Sequence, residues 1–255
     1  FSGLLPRGHD LADPLTDKLR ALRGNCHWLS GDRITPPRYI KEGRPPPREL
    51  AEDGTGATEM LLSDPALLAA VQPWYAALGR TLTSSIQEAT ARLQLNPRDA
   101  GFEVDLVDTG SGMGQVLPVL TALAIAQTSA RAGRDVKLAI EEPESQLHPN
   151  AQRALGTWLC EIAAQDPAPH LVLETHSRVL ILAVQVAIAS ERLPSSNVVV
   201  YWLDQRSDGS TSVEKVEFDR FGRPGSGWPR DVFADELELA DILSERQFSN
   251  HAWGD

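Results

Sequence analysis

The stretch 137-KLAIEEPESQLHPN-150 decides how the rest of the chain is read. Lys137 to Ile140 is a short apolar run that ends abruptly in two glutamates, Glu141 and Glu142, followed by Pro143 and a third acid, Glu144. An apolar run of this length, closed by turn residues, suits a strand buried within a parallel sheet. Ligands of such sheets sit beyond the carboxyl ends of the strands. Two carboxylates placed there can hold a hard cation through oxygen and orient a water. Adjacent acids repel, so a nearby cation or a raised pKa is needed to keep them together. The alternative is that the pair caps the turn that follows.

Working outward, HLVLET (170–175) is a second short apolar run, and it ends at His176. On the other side, DTGSGMGQVLPVL (108–120) is glycine-rich and opens a helix. Gly110, Gly112 and Gly114 permit close backbone approach, and N–H groups at a helix start favour anions. An ordinary turn before a helix is the alternative. Helical patterns follow at 116–131, 150–164 and 177–192, and NVVVYWL (197–203) reads as a third strand. Strand, helix, strand, helix, strand predicts an α/β fold with a mainly parallel sheet flanked by helices.

Three regions follow from this pattern. Residues 1–62 read as an irregular, extended arm, with prolines crowded in RITPPRY and EGRPPPREL. Residues 63–205 hold the core. They open with a helical segment to about Leu95 that starts at Ser63-Asp64-Pro65 and is divided by Pro73 and Gly79. FEVDLV (102–107) alternates like a strand. Residues 206–255 read as a small extension, a turn and strand in SDGSTSVEKVEFD and an acidic helix in DVFADELELADILSERQ.

Bulk composition narrows the function classes. The 255 residues are 42% hydrophobic, enough for a sizeable core, and carry a net charge of −11. That charge argues against nucleic-acid binding over the whole surface but leaves a local basic groove open. No uninterrupted apolar run reaches about 18 residues, and no cleavable signal opens the chain, so the expectation is a cytoplasmic protein without a membrane span. Cys26 and Cys160 are far apart and read as buried thiols, not as a disulfide framework. Arg33 and Arg38 read as loop cations in solvent, with phosphate contact as the alternative. His148 reads as structural or interfacial, Trp158 and Trp202 as core, and Trp228 as an anchor for the C-terminal segment.

Taken together, SGMGQVLPVL, LAIEEPESQLHP and LVLETHS resemble the signature segment, the Walker B strand with its D-loop, and the switch-histidine strand of an ABC-type ATPase head. The likeness is to the C-terminal half of such heads, in the RecF, SMC and OLD branch. The outer stretches WLSGDRITPPRY and VEFDRFGRPGSGWPRDVFADELELADIL resemble bacterial AAA ATPases with a small C-terminal domain of unknown function. The resemblance implies ATP and Mg²⁺ as cofactors. It makes Glu141 the Mg²⁺-associated acid, Glu142 the glutamate that polarises the attacking water, and His176 the switch that senses the γ-phosphate. Ser111, Gly112, Gly114 and Gln115 match the segment that contacts ATP held by the opposite subunit. The usual signature serine falls on Gly112, with Ser111 one place early. The resemblance further implies a homodimer or head-to-head dimer formed on ATP, action on DNA or in phage defence, and an effector nuclease as a further partner.

One part of the family pattern is not in these residues. No G-x-x-x-x-G-K-[ST] occurs among the 255, nor any Gly-Lys pair. In the family that Walker A loop cradles the phosphates and lies N-terminal to the motifs found here. The chain opens on Phe1, which fits a beginning supplied elsewhere, so turnover is expected only once such a segment completes the site. A structural or interaction module that has lost turnover, or a nuclease-activating subunit, are the alternatives. Asp204 and Asp208 could serve as a nuclease acid pair, but they flank the turn DQRSDGS.

Overall fold

The computed structural model describes residues 26–43, 45–98 and 101–229. In chain order the strands are β1 (Cys26–Leu29), β2 (Ile40–Lys41), β3 (Arg80–Gln87), β4 (Thr90–Pro97), β5 (Lys137–Glu141), β6 (His170–Glu174), β7 (Val200–Gln205) and β8 (Thr211–Val216). The helices are α1 (Ala57–Ser63), α2 (Pro65–Ala77), α3 (Ser111–Gln115), α4 (Leu117–Arg131), α5 (Pro149–Ala163) and α6 (Arg178–Ala189). The chain divides into two compact units between residues 180 and 181.

In the first unit the parallel sheet has the order β1-β5-β6. Its registers run Trp28↔Ala139 and Leu29↔Ile140 on one side of β5, and Ile140↔Leu173 and Glu141↔Glu174 on the other. Leu29, Leu138 and Ile140 point into the core, where they are buried with Leu117, Val119, Leu120 and Leu123 of α4. Each such aliphatic side chain contributes about 1.5–3 kcal/mol by leaving water. The runs α3 and α4 together form a stretch, Ser111–Arg131, long and apolar enough to cross a membrane by length and composition. Two-thirds of its most apolar window is buried inside the protein, and core packing accounts for that apolarity.

Several expectations are corrected. β1 lies in what read as an irregular arm; four residues are too few to show periodicity, and parallel pairing with β5 creates the strand. NVVVYWL contributes β7, but β7 pairs antiparallel with β8 and not with the parallel sheet. The segment from 80 to 95 is not helical. It forms the antiparallel hairpin β3–β4, with β2 on the far edge of β4. The hairpin turns through two residues, Glu88 (φ 49°) and Ala89 (φ 61°). Both take the left-handed conformation a two-residue hairpin demands, without the Asn-Gly that normally announces it. Ala91, Leu93 and Leu95 are buried at alternate positions, a period-two signal that was present in the sequence.

Pro73 sits inside α2 without ending it, while Asp64 caps that helix, accepting from the N–H groups of Ala66 (2.9 Å) and Leu67 (3.2 Å). FEVDLV is no strand: Leu106–Asp108 is a 3-10 turn, preceded by one antiparallel bridge, Gln94↔Asp105. Cys26 is exposed and Cys160 buried, and the two form no disulfide. Trp158 lies in the core.

In the second unit β7 and β8 form a hairpin, Trp202 packs 6.0 Å from Trp228, and Phe218 packs 6.1 Å from the same ring. Trp202 is thus half-buried beside Trp228. The acidic helix expected after residue 230 lies outside the described residues.

Candidate functional site

The carboxyl ends of β5 and β6 are held side by side. Glu141 pairs in register with Glu174, and the Glu142 N–H donates to the Glu174 carbonyl at 2.8 Å. His176 follows two residues after Glu174, so both acids and the imidazole leave the sheet at one rim. Glu142 and His176 are exposed there and Glu141 is half-buried. The loop after β1 closes over this rim. The Gly31 N–H donates to Glu141 Oε2 at 3.1 Å, fixing one oxygen of that carboxylate. Glu142 adopts a left-handed backbone, φ 40°, a conformation that costs a non-glycine residue about 1 kcal/mol or more.

Arg33 fastens the rim from beneath. It is only 5% exposed, and its guanidinium donates to four backbone carbonyls: Ser30 (2.8 Å), Glu141 (2.9 Å), Glu142 (2.8 Å) and Gln115 (3.2 Å). Burial pulls its pKa below the ordinary arginine value, opposed by the charges of Glu142, Glu144 and Glu141. It nonetheless stays protonated at neutral pH, as arginine does in proteins. Arg33 is therefore neither a solvated loop cation nor free to meet phosphate. It ties the end of β5 to the glycine segment. Arg38, by contrast, is exposed and engaged by Asp105 (2.8 Å) and Asp108 (2.6 Å).

The glycine segment packs directly on the loop after β5. A Cβ on Gly112 would stand 2.2 Å from the Gln146 carbonyl oxygen, and one on Gly114 would stand 3.0 Å from Pro36 Cδ. Both glycines are buried, while Ser111 is exposed and Gln115 half-buried. The absence of a serine side chain at 112 thus has a steric reason inside this chain. The Tyr75 hydroxyl donates to the Met113 carbonyl at 3.3 Å and adds a second tether; its complete burial raises its pKa.

The third acid of the opening stretch, Glu144, was assigned no role from sequence and is the buried one. Its Oε1 accepts from the Thr175 hydroxyl (2.7 Å) and the His176 N–H (3.0 Å). Gln152 adds a second bridge: its Nε2 donates to the Leu147 carbonyl (2.9 Å) and its Oε1 accepts from the Ser177 hydroxyl (2.8 Å). His148 caps α5, its Nδ1 accepting from the Asn150 N–H at 3.3 Å, a structural role. Asp208 closes the turn before β8 through the N–H and hydroxyl of Ser210.

The profile of the AAA_21 family, described as "AAA domain, putative AbiEii toxin, Type IV TA system", matches residues 38–183, more than half of the chain. The chain belongs to that family. As an AAA-family domain it is an ATPase by kind, and the α/β architecture with its parallel sheet agrees with the ABC/AAA head expected from the motifs. No curated protein matches it. Among solved structures, one titled "Structural biochemistry of ATP-driven dimerization and DNA stimulated activation of SMC ATPases" is 11% identical, with TM-score 0.43 over 74% of this chain and 96% of that one. An Smc head bound to the C-winged helix domain of ScpA is 13% identical, with TM-score 0.41 over 61% of this chain and 44% of that one. An Smc head with an extended coiled coil, bound to the C-terminal domain of ScpA derived from Pyrococcus furiosus, is likewise 13% identical at TM-score 0.41, over 72% and 38%.

Among the described residues no group of three or more His, Cys, Asp or Glu could cage a metal. Mg²⁺ bound with phosphates needs only one or two carboxylates, and Glu141, with one oxygen anchored by Gly31, can present the other.

Proposed function

We propose that this AAA-family domain hydrolyses Mg²⁺-ATP, and that nucleotide controls its association with a second head. Glu141 would hold the ion through a water or directly, Glu142 would orient and polarise the attacking water, and His176 would meet the γ-phosphate. Ser111 and Gln115, with the N–H groups of the segment running through Gly112 and Gly114, would face nucleotide held by the second copy. The observation that carries this reading is the alignment of two strand ends, Glu141 beside Glu174, which delivers both acids and His176 to one rim. Phosphoryl transfer asks the protein chiefly for such positioning and charge. The phosphate-cradling loop would come from a segment beyond these 255 residues. ATP shared between two heads favours the closed pair, and hydrolysis removes that preference. Coupling of this cycle to DNA or to a nuclease effector in phage defence is part of the proposal and rests on motif resemblance.

The test is ATP turnover and dimerisation of the full-length protein. Glu142→Gln should cut turnover by about 10²–10⁴-fold while ATP and Mg²⁺ trap a dimer on size exclusion. Turnover unchanged in Glu142→Gln would overturn the assignment.

A further inference from the structure

Glu144 is nine-tenths buried, yet only one of its carboxylate oxygens is used. Oε1 receives the Thr175 hydroxyl and the His176 N–H, whereas Oε2 is buried without a hydrogen-bond partner. A buried acceptor without a partner is costly, because it has given up water for nothing. A residue serving only to cap a turn would have no reason to carry that cost so close to two further carboxylates. What Oε1 joins is specific: the loop that carries Glu142, two residues upstream, and the loop that carries His176. Thr175 in turn accepts from the Ser177 N–H at 2.9 Å, and the Ser177 hydroxyl accepts from the Leu180 N–H at 3.1 Å, so the bond continues into the start of α6.

We propose that Glu144 is a positioning residue that locks the His176 loop to the Glu142 loop, so that the imidazole and the carboxylate move as one unit. The two functional side chains are both exposed, and neither is fixed through its own side-chain atoms by any hydrogen bond described. Their relative placement is therefore carried by the backbone, and among the described residues Glu144 provides a side-chain link that reaches the His176 backbone itself. A hydrogen bond from a backbone N–H to a buried oxygen holds geometry well, because the low local dielectric strengthens it.

The kinetic consequence rests on the ATPase reading above; the structural one does not. Amide hydrogen exchange of the full-length protein is the first arm. Glu144→Ala should lower protection of the His176 amide by about tenfold, the loss of one hydrogen bond to a buried acceptor, while the amides of α4 keep theirs. Glu144→Gln, which retains an acceptor oxygen, should restore most of that protection. Should Glu144→Ala fail to fold, Glu144→Asp, one methylene short of the bond, takes its place. The second arm is steady-state ATP turnover. Glu144→Ala or Glu144→Asp should lower kcat by about 100-fold with the ATP concentration for half-saturation little changed, and Glu144→Gln should recover most of the rate. Unchanged protection at His176 in the folded Ala or Asp variant overturns the lock. A Gln variant as impaired as Ala in both arms overturns it too, because acceptance by Oε1 would not be what matters. An inactive wild type with the expected exchange result would count against the ATPase reading alone.

Discussion

The guanidinium of Arg33 donates to the carbonyl oxygen of Glu142 at 2.8 Å, and so fixes the backbone of the residue whose side chain is proposed to do the chemistry. The same cation reaches Glu141 and, through its Nε, Gln115. One buried side chain thereby sets the strand end and the glycine segment in a common frame. An arginine is suited to this because its planar fork presents donors in several fixed directions at once.

Arg33→Met should therefore destabilise the protein by about 3 kcal/mol, since four part-buried carbonyls lose a charged donor together. Arg33→Lys should recover only part of this, because an ammonium cannot reach the same set of acceptors. Urea midpoints at neutral pH measure both, and a loss below about 0.5 kcal/mol for Arg33→Met, the range of an ordinary surface change, would mean that Arg33 does not organise the site.

Gly112→Ala places a methyl group 2.2 Å from a backbone oxygen, and backbone cannot swing aside as a long side chain can. The expected cost is about 2–4 kcal/mol, read as a lower melting temperature. Gly101 offers the matched control: a Cβ there meets nothing within 4 Å, so Gly101→Ala should stay within about 0.5 kcal/mol of wild type.

At Glu142 function and stability should part company. Its φ of 40° favours Asn and disfavours β-branched residues. Glu142→Asn should melt at or above the wild-type temperature and yet lose turnover, whereas Glu142→Val should cost about 1–2 kcal/mol. Thermal melts compared with activity separate the two effects.

The Asp108 carboxyl is held below its ordinary pKa, chiefly by its hydrogen bond from Arg38. Its folded form binds a proton more weakly than its unfolded form, so stability rises with pH wherever the unfolded chain takes up that proton. The contribution is fully present above the unfolded carboxylate value, near pH 4, and is lost as pH falls through the lower folded value. Asp108→Asn should flatten the acid limb of a stability profile measured between about pH 2.5 and 5 and leave the slope near neutrality unchanged. Because the pair is exposed, added salt should shrink the difference.

Much of the parallel core was legible from residues alone. β5, β6, α4 and α5 carry strong, uninterrupted patterns, and their boundaries agree with expectation to within a residue or two. The hairpin β3–β4 was hidden because Thr, Ser and Gln dilute its alternation and its turn is Glu-Ala. β1 was hidden because four residues hold no period, and its partner stands more than a hundred positions away. Arg33 was hidden for a different reason: its acceptors are backbone carbonyls, which leave no trace in the identity of the residues that bear them.

What the sequence by itself determined is the strongly patterned elements β5, β6, α4 and α5 and the chemical types at the strand ends, Glu141, Glu142 and His176, because periodicity and turn chemistry act over a few residues. The tertiary structure alone decided which strand flanks β5, that β7 leaves the parallel sheet for β8, and that Arg33 and Glu144 brace the rim. Those outcomes depend on pairing between distant segments and on which polar atoms lose water, and neither is fixed until the chain has closed on itself.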